Sequence, residues 1–192
     1  MTASIVATLV SLVPFSPDES PRFVQLCAGD GRLAEALLTN FPAATLAALE
    51  GDALKRRNIT GRLAAFGDRA RVAAFDVTTL AWWDRMFGAD LVVSAFGLNR
   101  LTDAKKQYLY KAAADRLSAR GALLIADRVA AQHPHASAPA ADTFPAALFH
   151  QLVWLKHAGF TAVDCFRVED AQAVFGGFKQ AAGSAPQLPA GS

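Results

Sequence analysis

The chain has 192 residues, of which 53% are hydrophobic and 19% are charged, and its formal net charge is +2. This length fits one domain, and the hydrophobic content is too high for a disordered chain. The basic residues form no clustered stripe of the kind that is typical of nucleic-acid binders, and no apolar run approaches the roughly 20 residues that cross a bilayer. We therefore expect neither a nucleic-acid partner nor a membrane partner.

The amino-terminal segment is apolar, but it has neither a basic region nor a small-residue cleavage site, and so it does not read as a signal peptide. Its apolar side chains recur with the spacing of an amphipathic helix. They are Ile5, Val6, Leu9, Val10 and Val13. The chain has two cysteines, Cys27 and Cys165, too few for a disulfide scaffold. These features predict a cytoplasmic protein.

Strands and helices alternate along the rest of the chain, after a Pro/Ser-rich loop at 14–21. The predicted strands are 22–26, 45–49, 72–75, 91–94 and 122–126. The predicted helices are 32–39, one that begins at 52–57, and 103–117. This alternation predicts βαβ units and a parallel sheet. Short strands that are apolar throughout fit a sheet that is covered on both faces.

The carboxyl-terminal part follows a different pattern. Strands at 162–168 and 172–175 are separated by only a few residues, so they form a hairpin and one of them runs antiparallel. From Ala181 onward the chain is small, polar and proline-containing. We predict a single domain over 1–180 and a flexible tail over 181–192.

A glycine turn follows the first predicted strand, with the sequence Cys27-Ala28-Gly29-Asp30-Gly31. Glycine lacks a Cβ, so it adopts positive φ and lets a ligand approach the backbone. The following helix offers unpaired N–H groups to that ligand. Glu50 closes the second strand, and an acid at this distance from the glycines typically accepts hydrogen bonds from ribose hydroxyls. The order of strand, glycine turn, helix, strand and acid predicts an adenosyl-cofactor site at the carboxyl ends of the strands.

The glycines alone also fit the dinucleotide pattern G-x-G-x-x-[GA], and they also fit a tight turn that binds nothing. Asp30 distinguishes the cofactors, because a carboxylate in the turn repels a pyrophosphate but tolerates the sulfonium and ammonium of S-adenosylmethionine. The chain is also too short to add a large substrate domain to a dinucleotide fold. These residues favour S-adenosylmethionine.

The chain resembles the class I S-adenosylmethionine-dependent methyltransferases over about 9–179. The segment 22–37 (RFVQLCAGDGRLAEAL) resembles their first motif, 46–50 their second, 71–77 (RVAAFDV) their third and 89–101 (ADLVVSAFGLNRL) their fourth. The segments 117–127 and 158–179 resemble the later helix–Gly–strand unit and the closing hairpin. The resemblance implies a Rossmann-like, doubly wound α/β sheet of seven strands in the order 3-2-1-4-5-7-6, with strand 7 antiparallel.

The resemblance also implies residue roles. Glu50 takes the ribose position, Asp76 faces the adenine amino group with Val77 beside the ring, and the end of the fourth motif lies beside the methionine moiety and the reacting methyl. The implied cofactor-binding residues are Gln25, Cys27, Ala28, Gly29, Gly31, Glu50, Gly51, Asp76, Val77, Ser94 and Ala95. Two positions depart from the family pattern: Gln25 replaces an acid, and Cys27 replaces the first glycine, although its Cβ penalises positive φ.

The acceptor side is predicted from the residues that follow the fourth and fifth strands. Asn99, Arg100 and Asp127 are the candidate substrate-binding residues, and the simpler interpretation of Asn99 and Arg100 is that they cap or flank the next helix in solvent. A base near Asp127, His133 or His150 is an option if the acceptor needs deprotonation, but no catalytic residue is assigned.

Other residues with chemical potential have simpler interpretations. His133 and His135 lie in a Pro/Ala/Ser-rich stretch without the partners that a metal site needs, so no metal is expected. Trp82 and Trp83 fit loop packing or the rim of the pocket. A helix with its apolar side in the core accounts for the apolar residues near 150, with Phe149 or His150 facing a substrate as the alternative. Those apolar residues are Phe144, Phe149, Leu152 and Trp154.

The sequence thus predicts a methyltransferase that uses S-adenosylmethionine and a small-molecule acceptor of unspecified identity. Two alternatives stay open: a non-catalytic adenosyl-binding or scaffold protein, which Gln25 and Cys27 motivate, and an NAD(P)-binding reductase. The oligomeric state is not specified by the sequence. A disulfide between Cys27 and Cys165 is rejected, because the implied strand order places them about four strand spacings apart.

Overall fold

The computed structural model describes residues 2–79, 84–130 and 143–179. Within these ranges the helices are α1 (Ala3–Ser11), α2 (Arg32–Asn40), α3 (Ala53–Leu63), α4 (Asp103–Arg116) and α5 (Leu148–Ala158). The strands are β1 (Arg22–Leu26), β2 (Thr45–Glu50), β3 (Ala70–Ala74), β4 (Leu91–Ala95), β5 (Ala122–Arg128), β6 (Ala162–Glu169) and β7 (Gln172–Phe178). No helix of the described part is long and apolar enough to cross a membrane. The predicted tail, 181–192, lies outside the described residues.

The seven strands form one sheet in the order β3-β2-β1-β4-β5-β7-β6. The first five strands in this order pair in parallel, and β7 pairs antiparallel with both β5 and β6. The predicted order and the antiparallel hairpin are confirmed. The chain reverses direction across the sheet between β1 and β4, which makes that gap the topological switch point where ligands bind in open α/β sheets.

Both faces of the sheet are covered. Phe23 of β1 packs with Leu9 of α1 and Leu37 of α2, whereas Val24 of β1 packs on the opposite face with Leu109 of α4. Neighbouring residues of β1 therefore enter two different cores, which explains why the strand is apolar without alternation.

Some element ends differ from the sequence pattern. β3 begins at Ala70 and ends at Ala74, so the predicted strand 72–75 is displaced, and Asp76 lies two residues beyond the strand. β5 continues to Arg128, past the predicted end at 126. Strand pairing sets these limits: Ala70 lies opposite Leu46 of β2, and Arg128 lies opposite Gln172 of β7. A local apolar pattern carries no information about which residues of other strands will be the partners.

Candidate functional site

The predicted cofactor residues converge at one edge of the sheet. The carboxyl ends of β1, β2 and β4 are neighbours, because Leu26 lies opposite both Leu49 and Ser94. The glycine turn follows β1, Glu50 ends β2, and Ala95 ends β4. The strand order therefore brings these segments together at the switch point, as the sequence predicts.

The turn after β1 is built from residues with positive φ. Cys27, Gly29 and Gly31 have φ values of 54°, 63° and 80°. Hydrogen bonds within the protein hold this conformation: the Ala28 N–H donates to the Leu49 carbonyl at 3.0 Å, and the Gly31 N–H donates to the Ala28 carbonyl at 3.0 Å. Cys27 is a non-glycine residue in the left-handed region, a conformation that costs of order 1–3 kcal/mol and concentrates at functional sites.

The two glycines of the turn serve different purposes. A Cβ on Gly29 would have a single neighbour within 4 Å, the Cys27 carbonyl oxygen at 3.9 Å, so the space beside Gly29 is open. A Cβ on Gly31 would lie 3.2 Å from Cδ of Arg62 and 3.4 Å from the Ile59 side chain of α3. The missing side chain at Gly31 therefore permits close packing of the turn on α3, whereas the open space at Gly29 is available to a ligand.

Glu50 connects β2 to the glycine turn. Its Oε2 accepts the Gly29 N–H at 2.8 Å, and its Oε1 accepts the Asp52 N–H at 3.1 Å. Each carboxylate oxygen has two acceptor positions, so one on each oxygen is left for a ligand hydroxyl. The side chain is only 7% exposed, and its location at the strand end fits the role predicted from the sequence.

Asp30 occupies the amino terminus of α2. Its Oδ1 accepts the Arg32 N–H at 3.2 Å, and its Oδ2 forms an ion pair with Arg32 Nε at 3.0 Å. Arg62 holds the same turn by donating from Nε to the Asp30 carbonyl at 2.9 Å. A carboxylate thus lies at the helix end where a dinucleotide fold would hold its pyrophosphate.

Asp76 begins a turn after β3. Its Oδ1 accepts from the Thr78 N–H at 2.9 Å and from the Thr78 hydroxyl at 2.8 Å. These two hydrogen bonds lower the pKa of Asp76, and the nearby cations Arg100 and Lys105 act in the same direction. Asp76 is exposed while Val77 is buried in the core. Close to this turn, a Cβ on Gly51 would lie 3.2 Å from the Phe75 carbonyl oxygen.

Two buried polar side chains lie near the ends of β1 and β4. Gln25 is 1% exposed and Ser94 is fully buried, and neither Gln25 Oε1 nor Ser94 Oγ has a hydrogen-bond partner among the described residues. A buried polar atom without a partner costs stability, so such atoms mark places where a ligand or ordered water completes the structure. Ala95, the next residue, is partly exposed.

Cys27 reaches across the switch point toward the loop after β4. A Cβ on Gly97 would lie 2.5 Å from Cys27 Sγ and 3.7 Å from Ser94 Oγ. Burial raises the pKa of the Cys27 thiol to about 12. The negative charge of Glu50 also raises this pKa, whereas the positive charge of Arg100 lowers it. The thiol is therefore neutral and space-filling. Both cysteines are free, which confirms the rejection of the disulfide.

The acceptor side is organised around Asp127. Its Oδ2 accepts the Asn99 N–H at 2.8 Å and its Oδ1 accepts the Arg128 N–H at 2.8 Å. Burial raises the pKa of Asp127 to about 6 against these hydrogen bonds and the Lys106 ammonium. Asp127 is 3% exposed. It fixes the short 3₁₀ helix Leu98–Arg100, in which Asn99 is buried and Arg100 is exposed.

A set of buried polar side chains that the sequence pattern does not reveal lies near Asp127 and Asn99. Lys106 of α4 is 2% exposed, and its ammonium donates to the Phe144 carbonyl and forms an ion pair with Asp103 at 3.6 Å. Tyr110 donates its hydroxyl proton to Gln151 Oε1 at 2.7 Å, and Gln151 Nε2 donates to the Ala146 carbonyl at 3.3 Å. A lysine on an apolar helix face was the available signal, since such a residue is rarely buried without partners.

The interpretation of the apolar residues near 150 as core is wrong in part. Phe144 is 47% exposed and Phe149 is 67% exposed, whereas Leu152 and Trp154 pack partly against the core. Phe144 precedes α5, and Phe149 lies in its first turn, on the side away from Leu155. The His150 ring lies 6.0 Å from that of Phe149 and 6.1 Å from that of Trp154.

Some of the residues considered in the sequence lie outside the described part of the chain. His133, His135, Trp82 and Trp83 lie outside the described residues. Within 2–79, 84–130 and 143–179, no group of three His, Cys, Asp or Glu side chains is placed to hold a metal ion.

Known structures share this fold. An O-methyltransferase family protein from Burkholderia thailandensis aligns with a TM-score of 0.72 at 17% identity, over 92% of this chain and 55% of that one. The N-terminal domain of EvdMO1, solved with S-adenosylhomocysteine (SAH) bound, aligns with a TM-score of 0.71 at 16% identity, over 93% and 81%. A precorrin-6y C5,15-methyltransferase from Geobacter metallireducens aligns with a TM-score of 0.68 at 15% identity, over 94% and 90%.

These similarities concern architecture. This chain spans about half the length of several of the matched structures, at 55% for the Burkholderia protein. No protein-family description and no curated protein matches the sequence. The strand order, the antiparallel β7 and the structural matches together show that the chain has the fold of the class I S-adenosylmethionine-dependent methyltransferases.

Proposed function

We propose that this protein binds S-adenosylmethionine at the carboxyl ends of β1, β2 and β4 and transfers its methyl group to a small molecule. The observation that carries the proposal is the connection between Gly29 and Glu50, with the Gly29 N–H 2.8 Å from the Glu50 carboxylate. It joins the open part of the glycine turn to a buried acid with unused acceptor positions. That pair suits an adenosyl ribose.

The charges at the turn favour this cofactor over a dinucleotide. A pyrophosphate needs free N–H groups at the turn and the helix end. Here the N–H groups of Ala28, Gly29 and Gly31 already donate within the protein, and the Asp30 carboxylate accepts the Arg32 N–H. S-adenosylmethionine has no phosphate and carries a sulfonium, so Asp30 and Glu50 do not oppose it. The turn therefore offers few free N–H groups to the pyrophosphate that an NAD(P)-binding reductase would hold.

The remaining cofactor contacts are assigned by position. Asp76 is exposed beyond β3 and uses Oδ1 for Thr78, which leaves Oδ2 for the adenine amino group. Gln25 Oε1 and Ser94 Oγ are partnerless atoms near the expected methionine moiety. The sulfonium of S-adenosylmethionine would supply an electrophilic methyl group. The residues of this chain contribute by holding the acceptor in line and excluding water, which accounts for much of the rate of such reactions.

Asn99, Arg100 and Asp127 form the acceptor side of the proposal. Asp127 acts as a positioning residue, because its carboxylate holds the Asn99 N–H and is otherwise buried. Arg100, exposed beside Asn99, is the group that contacts an acceptor. A cytoplasmic location remains part of the proposal, consistent with two unpaired cysteines.

A cofactor-binding protein without transferase activity is the second candidate. Cys27 favours it, because its side chain fills space against Gly97 at the switch point. Calorimetry with SAH, NADH and NADPH tests the cofactor. Binding of SAH alone supports the proposal, and binding of NADH or NADPH without SAH overturns it. Transfer of a labelled methyl group from S-adenosylmethionine to a cell-extract small molecule then distinguishes an enzyme from a binding protein.

A further inference from the structure

Phe144 lies beside Asn99, and buried polar groups hold its backbone. We call Asn99, Arg100 and Phe144 the acceptor rim. The Phe144 N–H donates to the Asn99 carbonyl at 2.6 Å, and the Phe144 carbonyl accepts from the Lys106 ammonium. Both backbone groups of Phe144 are therefore fixed by residues that are at most 8% exposed themselves. Phe144 itself is nevertheless 47% exposed.

Buried polar side chains form a network beside Phe144. Lys106, Asp127 and Asn99 are each buried and each hydrogen-bonded around the segments that precede α4 and α5. Burying an ammonium and a carboxylate is costly unless they are well paired. Here Lys106 pairs with Asp103 at 3.6 Å and donates to the Phe144 carbonyl, whereas Asp127 accepts the N–H groups of Asn99 and Arg128. These bonds keep Asn99 and Phe144 in one fixed arrangement, and a preorganised surface binds a ligand with a smaller loss of conformational entropy.

A positive charge follows Asn99, the residue that holds the Phe144 N–H. Arg100 follows Asn99 directly, is exposed, and forms no ion pair with any described residue. Its positive charge acts to lower the pKa values of both Cys27 and Asp76, so it lies near the ends of β1 and β3. An arginine guanidinium is a planar fork of donors that matches a carboxylate in two parallel hydrogen bonds.

We propose that Arg100 and Phe144 together recognise the methyl acceptor, and that the acceptor is a planar aromatic molecule with a carboxylate. The ring of the acceptor packs on Phe144, and its carboxylate pairs with Arg100. Aromatic pairs contribute beyond the area that they bury, so the two contacts are separable. This inference rests on the proposed function, because the crevice beside the rim must hold the cofactor.

Three probes separate the two contacts: 4-hydroxybenzoate, phenol and 4-hydroxycyclohexanecarboxylate. Each is added at millimolar concentration to the protein saturated with SAH, and binding is followed by ligand-observed NMR. We expect 4-hydroxybenzoate to bind roughly fivefold more tightly than either probe that lacks the ring or the carboxylate, as loss of one such contact implies.

Variants assign each preference to a residue. Arg100→Gln should abolish the preference over phenol, and Phe144→Leu should abolish the preference over 4-hydroxycyclohexanecarboxylate. The matched controls are Arg57→Gln on α3 and Phe87→Leu, an arginine and a phenylalanine that are exposed away from the rim. Both controls should keep both preferences, and none of the four variants should change the affinity for SAH.

Several results overturn this inference while the proposed function stands. Equal binding of the three probes to the SAH complex does so, as does failure of 4-hydroxybenzoate to bind it at all. Weaker SAH binding by Arg100→Gln would assign Arg100 to the cofactor and would also overturn the acceptor role. If the parent protein binds no SAH, the proposed function fails and this inference fails with it.

Discussion

Cys27 and Gly97 share one space between the ends of β1 and β4. A Cβ on Gly97 would lie 2.3 Å from Cβ of Cys27 and 2.5 Å from its Sγ, well inside contact distance. The side chain that replaces the first glycine of the motif is thus accommodated by a glycine on the neighbouring strand's loop. The two positions form a compensating pair.

A double-mutant cycle tests this compensation. Gly97 has a negative φ of −133°, so the cost of Gly97→Ala should come chiefly from the clash with Cys27 and should be about 1–3 kcal/mol of unfolding free energy. In the background of Cys27→Gly the same change should cost much less, because the obstructing side chain is gone. Urea denaturation of the four proteins measures the coupling.

Gly61→Ala is the control for this cycle. Gly61 lies within α3, and a Cβ there meets nothing within 4 Å. Alanine should stabilise the helix by up to about 1 kcal/mol. Additive effects of Cys27→Gly and Gly97→Ala would show that the two residues do not compete for one space.

Glu50 should contribute to cofactor affinity as well as to folding. Glu50→Gln keeps one carbonyl oxygen for a backbone N–H, but it replaces the charged acceptor of the ribose hydroxyls. A hydrogen bond to a charged group is worth on the order of 1–3 kcal/mol, so the affinity for SAH should fall by roughly 5- to 150-fold. Calorimetry measures it, and thermal unfolding reports on the fold.

Glu35→Gln is the matched control for Glu50→Gln. Glu35 is a partly exposed acid of α2 that pairs with Arg62 at 2.7 Å, and its removal should leave the affinity for SAH unchanged. Unchanged affinity in Glu50→Gln as well would remove Glu50 from the cofactor site.

Three glycines with positive φ separate backbone strain from ligand approach. Gly29 and Gly67 have φ of 63° and 55°, and neither position has a close neighbour for a new Cβ. Gly29→Ala and Gly67→Ala should therefore each lose stability through backbone strain, by about 1 kcal/mol or more, and the ψ of −133° at Gly67 adds to its strain. Only Gly29→Ala should also weaken binding of SAH, since its Cβ enters the open space of the turn.

Gly31→Ala should behave differently from both. Its Cβ would contact Arg62 and Ile59 in addition to the strain of a φ of 80°, so it should destabilise the protein more than Gly29→Ala does. Denaturation and calorimetry on the three variants give both quantities. If Gly29→Ala binds SAH as well as Gly67→Ala does, the glycine turn is structural only.

The sequence predicted the parts of this site that are local along the chain. Gly29 and Glu50 follow strands whose apolar runs are unmistakable, and their meeting at the switch point follows from the strand order. Lys106 and Phe144 were not predicted, because their roles come from contacts between distant segments. Lys106 adjoins the partly exposed Lys105, and only its bond to the Phe144 carbonyl distinguishes the two. Phe144, an aromatic residue near an apolar helix, was expected to pack in the core, whereas it is exposed in the structure.

The buried Asp127 should make stability depend on pH in an unusual direction. Burial raises its pKa from 3.8 to about 6, so the folded state favours the protonated form. The resulting stabilisation is complete below about pH 4, the pKa of an unfolded Asp, and is lost as the pH rises through 6. A change of that size in the pKa corresponds to at most about 3 kcal/mol, and this pH dependence should vanish in Asp127→Asn.

Urea denaturation between pH 4 and 7 should therefore show the unfolding free energy of the parent falling relative to that of Asp127→Asn. Asp18→Asn, at an exposed position, controls for the loss of one carboxyl group and should run parallel to the parent. A constant difference between the parent and Asp127→Asn across this range would mean that Lys106 and the backbone N–H groups compensate the buried charge fully.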